Sequence, residues 1–80
     1  MTFIIERYQD TESETRFASI EQDKYCTTYN LVVYRVFRDN PSHAYHVMPK
    51  RTYISVANAR KAMRKLGQWE KVYDMKEGAK

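Results

Sequence analysis

Eighty residues, 42% of them apolar and 14% aromatic, leave no room for a second domain yet hold too much apolar surface for a disordered segment. No apolar run nears the ~18 residues of a membrane span, and the N-terminus lacks the basic and apolar regions of a signal peptide. With a single cysteine, Cys26, an internal disulfide is excluded, so the expectation is a soluble protein of the reducing cytoplasm.

The net charge is +4, but its distribution is uneven. Residues 1–39 hold seven acids and five bases. Residues 40–69 hold no acid and six bases: Lys50, Arg51, Arg60, Lys61, Arg64 and Lys65. Thirty residues without a carboxylate place a positive field on whatever surface they form.

In chain order, Phe3–Tyr8 alternates weakly, and the polar run Gln9–Glu14 suits a turn. Arg16–Gln22 is read as the returning strand. A helix is the alternative over 11–24, because Thr11 and Glu14 have capping-box spacing and Phe17 and Ile20 have helical spacing. Tyr29–Arg38 is the clearest strand, rich in β-branched and aromatic residues and ended by Asp39-Asn40-Pro41-Ser42. His43–Met48 continues as a hairpin partner up to Pro49, which suits a strand end or edge. Leu31 and Val33 lie on one face of the long strand and Val32 and Tyr34 on the other, and both faces are apolar enough to be covered.

Ser55–Leu66 has an N-capping serine, helix-favouring residues, and Gly67 where a left-handed cap is expected. Val56, Ala59, Met63 and Leu66 form one stripe, with Arg60, Lys61, Arg64 and Lys65 on the other side. After Gly67, the spacing of Trp69, Val72, Tyr73 and Met75 fits either a short helix or a docked extended segment, with Trp69 closing the core. The fold class expected is α+β, a three- to four-stranded antiparallel sheet with one main helix packed on one face. The domain spans residues 1–76, with a frayed tail at 77–80.

Catalytic signatures are absent. Two glycines, Gly67 and Gly78, cannot build a phosphate-cradling loop. His43 and His46 alternate to opposite strand faces without Cys or carboxylate partners at ligand spacing, so no metal and no cofactor are expected. Cys26 has no neighbouring base, and Glu12 and Glu14 sit in a solvated turn, so no enzyme is expected. The feature above background is the basic helix and its approach, Lys50, Arg51, Tyr53, Arg60, Lys61, Arg64 and Lys65. Bases at i, i+1, i+4 and i+5 suit successive phosphates, and Tyr45 and Tyr53 can add stacking on bases.

The order strand, strand, strand, helix, with Ser55-Val-Ala-Asn-Ala-Arg-Lys-Ala-Met-Arg-Lys-Leu-Gly67, is similar to the later part of double-stranded RNA-binding domains. That resemblance implies phosphate contacts from Arg60 and Lys61. In overall build the chain also resembles small phage and mobile-element accessory proteins, including anti-CRISPR and other host-takeover proteins. This second resemblance implies an inhibitor or adaptor that docks on an acidic host protein surface, with Tyr34 and Tyr45 as interface anchors. The expected partner is therefore nucleic acid, through its phosphate backbone, or such a protein surface, and not a membrane.

Overall fold

The computed structural model describes residues 2–75, the Pro41 side chain excepted. It is an antiparallel sheet with one helix: β1 (Thr2–Asp10), β2 (Arg16–Asp23), β3 (Tyr29–Phe37), β4 (Asn40–His46), β5 (Arg51–Tyr53), α1 (Val56–Arg64) and β6 (Trp69–Asp74). The α+β class stands, but the sheet has six strands rather than three or four. The spatial order is β4-β3-β2-β1-β6, with β5 beside β4 on the outer edge of β3. The tail at 77–80 lies outside the described residues.

Residues 16–23 are a strand, not a helix. The preceding turn uses Asp10 instead of a Thr11 cap: its carboxylate accepts the Glu12 amide at 2.8 Å, and its carbonyl accepts the Ser13 amide. An Asx turn of this kind reverses the chain at once and sets Gln9 opposite Phe17. The β3–β4 hairpin is tighter than expected, because Phe37 pairs with Asn40 across Arg38 and Asp39. Asn40 thus opens β4 instead of occupying the turn.

Register explains which face is covered. Tyr8 pairs with Ala18 and Ala18 with Val33, while Ile20 pairs with Leu31. These side chains share one face, and Ala59 and Met63 of α1 complete the buried cluster with them. Val56 and Leu66 pack at its margin, so the apolar stripe of the helix faces the sheet as its spacing requires. Ser55 caps α1, its hydroxyl accepting the Asn58 amide at 3.1 Å.

Segment 69–74 resolves as β6, paired to β1. Its Trp69 indole N–H donates to the Met63 carbonyl at 2.9 Å, and the Arg16 guanidinium donates to the Leu66 carbonyl at 3.3 Å. Arg16 also lies over the Trp69 ring and pairs with Asp10 at 2.9 Å. The Met63 carbonyl, which also accepts the Leu66 amide, and the Leu66 carbonyl just beyond α1 thus each take a side-chain donor from elsewhere in the chain, tying the end of the helix to β2 and β6. Gly67 has φ of 157° instead of the left-handed helical value, and a Cβ there would meet Arg16 Nη1 at 3.3 Å.

The opposite face carries no helix among the described residues. Phe17 and Tyr34, paired across β2 and β3, stack at 5.6 Å between ring centroids and shield it in part.

Candidate nucleic-acid interface

The six bases of the acid-free segment do not form one surface. Arg60, near the middle of α1, faces β1 and meets Glu6, which is 2% exposed. Its Nε donates to Glu6 Oε1 at 2.8 Å and its Nη2 donates to Oε2. Tyr8 Oη donates to Oε1 at 2.7 Å, and Lys71 Nζ lies 3.3 Å from Oε2 and 2.9 Å from Asp74. The Arg60 hydrogen bonds are the largest influence holding the Glu6 carboxyl at about 2, against the upward push of burial. Glu6 in turn raises the Arg60 guanidinium above its ordinary value. Arg60, expected among the solvent-facing bases, is instead the counter-ion of a buried carboxylate.

Lys50 departs from the cluster for a different reason. It lies just before β5, outside the strand, whereas Arg51 pairs with Leu31 on the core side. Lys50 is felt instead by Glu21, whose carboxyl burial pushes up while Arg7, His46 and Lys50 pull it down. Glu21 neighbours Ile20 in β2 and so faces away from the core; in register with it, Thr52 donates to Asn30 Oδ1 at 3.0 Å.

Arg51, Lys61, Arg64 and Lys65 remain. At the end of α1 and its cap Lys65, positions 61, 64 and 65 are neighbours at i, i+3 and i+4, and all three residues are exposed. Lys65 and Arg51 line a cavity of about 280 Å³ between β5 and α1, together with Leu31, Met48, Tyr53, Ala62 and Leu66. Among the described residues, none of these four bases forms an ion pair, whereas Arg16, Arg60 and Lys71 all do. A larger cavity, about 390 Å³, lies elsewhere along β1 and β6, where Arg7 is the base that lines it among the described residues.

The aromatic candidates also separate. Tyr53 is half-buried against the core and lines the smaller cavity together with Arg51 and Lys65. Tyr34 belongs to the opposite sheet face, stacked on Phe17. Tyr45 is on β4, opposite Arg35 and against the Phe37 ring at 5.3 Å. The structure therefore brings Arg51, Tyr53 and Lys65 together around one cavity, with Lys61 and Arg64 exposed on the adjoining helix, and leaves Lys50, Arg60, Tyr34 and Tyr45 outside the group.

Sequence reasoning missed the apolar floor of the cavity and the part played by Glu6. The signal for Glu6 was present. It stands two residues before Tyr8, on the strand face that carries Tyr8 into the core, a position from which a carboxylate is buried only with a cation. α1 is not the closing element implied by the likeness to double-stranded RNA-binding domains, because β6 follows it and returns to β1. Among the described residues, no cluster of His, Cys, Asp or Glu could hold a metal ion, and no helix is long and apolar enough to cross a membrane. Comparison with models of protein families, with curated proteins and with solved structures finds no match to this chain.

Proposed function

We propose that this protein is a small non-catalytic nucleic-acid-binding protein that holds phosphates on Arg51, Lys61, Arg64 and Lys65, with little sequence preference. The observation that carries the reading is the division of the bases. Arg60 and Lys71 are neutralised by Glu6 and Asp74, while these four, all from the acid-free segment, have no ion-pair partner among the described residues, and Arg51 and Lys65 line one cavity. Side chains held near one another without counter-charge repel, and an external polyanion relieves that repulsion while releasing its own condensed ions. The exposed thiol of Cys26 suits the reducing cytoplasm in which we place the protein.

The test is a salt titration of binding to labelled oligonucleotides, followed by anisotropy. Three to four phosphate contacts give a slope of log K against log salt of roughly −2 to −4. Reversing Lys61, Arg64 and Lys65 to glutamate should abolish binding. Absence of binding by the wild-type protein at low salt would overturn the proposal.

A second reading, a phage-type inhibitor docking on a host protein, draws on a different surface. Phe37, Tyr45 and Val47 are 53%, 46% and 46% exposed around β4, an edge strand, and form an apolar patch suited to a protein partner. Pull-down after nuclease treatment tests it: a stoichiometric partner lost on Tyr45→Glu substitution supports this reading, and retention of that partner by the variant refutes it.

A further inference from the structure

Resting on the nucleic-acid reading above, we propose that the cavity between β5 and α1 takes one unpaired nucleobase, flanking phosphates lying on Arg51 and Lys65, so that the surface selects single strands over duplex. The cavity's make-up argues for this occupant. Its floor is apolar, from fully buried Leu31 with Met48, Ala62 and Leu66, and Tyr53 supplies an aromatic ring. Its two charged contributors, Arg51 and Lys65, are both cationic, and neither forms an ion pair among the described residues. A ligand matching that lining has a flat, largely apolar body with negative charge beside it. An unpaired nucleotide in a strand has that form.

Size points the same way. At about 280 Å³ the cavity sits just under the ~300–1,000 Å³ usual for drug-sized ligands, which suits one planar group and not an extended one. A duplex keeps its bases inside the stack and must unpair one to fill the cavity, whereas a single strand gives up far less to do so. Lys61, one turn of helix before Lys65, and Arg64, the residue next to it, are exposed beside the cavity without lining it and extend the phosphate track.

Wild-type protein is titrated with a short single-stranded oligodeoxynucleotide, with the same strand carrying abasic sites throughout, and with a hairpin duplex, each over the same series of salt concentrations. Stacking of a single base on an aromatic residue corresponds to roughly a tenfold effect, so the abasic strand and the duplex should each bind about tenfold more weakly than the intact strand. Tyr53→Leu should lower affinity for the intact strand severalfold and leave the abasic strand unchanged. The abasic comparison needs no variant and so stands whether or not Tyr53→Leu folds. Equal binding of intact and abasic strands, with a salt slope retained, overturns the base-binding proposal and leaves phosphate binding intact. Displacement of both strands alike by poly-glutamate or inorganic polyphosphate also overturns it, the surface then being a general anion site. Failure of all three ligands to bind at low salt removes the nucleic-acid reading itself.

Discussion

Replacing Glu6 by glutamine keeps the shape and much of the hydrogen-bonding capacity of the side chain while removing its charge, and the structure fixes what that charge contributes. Folding takes the Glu6 carboxyl from an ordinary 4.5 to about 2, principally through its hydrogen bonds to Arg60. A depression of that size corresponds to on the order of 3 kcal/mol in favour of the folded state at pH 7. For a domain of 80 residues, whose total stability is expected at roughly 4–12 kcal/mol, that is a sizeable part. Because the folded state holds the proton less tightly, the contribution is complete above about pH 5 and disappears as pH falls toward 2, with about 2 kcal/mol gone by pH 3. Urea denaturation followed by Trp69 fluorescence, on wild type and Glu6→Gln at pH 7, 5 and 3, should therefore show a wide gap at pH 7 that shrinks to about 1 kcal/mol at pH 3. Asp10, whose carboxyl the Glu12 amide also holds down, and Glu21, which burial pushes up, are present in both proteins and cancel in the difference. Equal stabilities at pH 7, or a gap that does not change with pH, would refute the argument.

The division of the bases gives a paired expectation. Arg60→Ala strands Glu6 with Lys71 as its remaining cation and should cost on the order of 2 kcal/mol, less than the ~3–5 of a fully buried pair because Arg60 is itself 37% exposed. Arg64→Ala should stay within about 0.5 kcal/mol in the same urea assay while weakening oligonucleotide binding. Trp69→Phe removes the indole donor to Met63 O and weakens the contact with Arg16, so it should lower stability by about 1–2 kcal/mol, read as a lower thermal midpoint by circular dichroism.

The parts of the fold that could be read from the chain are those whose signals are local. β3 announces itself by nine residues dominated by β-branched and aromatic types, and α1 by a capped amphipathic stripe. The missed strands are defined by partners distant in sequence. β5 is three residues long, too short for any period, and exists because Tyr53, Thr52 and Arg51 meet Tyr29, Asn30 and Leu31. β6 has apolar residues at spacings that suit a helix equally well, and its choice of extended structure is made by β1, some sixty residues earlier, which offers it a free edge. Once both join, one helix covers the middle of a sheet whose other face must shield itself with its own side chains.

The same locality governs the candidate site. Counting charges along the chain located an acid-free segment, but charge count does not say which bases are spent in holding the fold together. That depends on which carboxylates the topology carries beneath the helix, and Glu6 is 54 residues from Arg60. Running β1 antiparallel to β2 sets Glu6 opposite Ile20, on the side that α1 covers. An ionised carboxylate there needs a cation, and Arg60, on the flank of α1 facing β1, supplies it through two hydrogen bonds. Lys61, one residue on and turned by about 100° around the helix, points to solvent instead. A single helical step thus separates a base that the fold consumes from one that stays exposed without an ion pair among the described residues, and the sheet register decides between them.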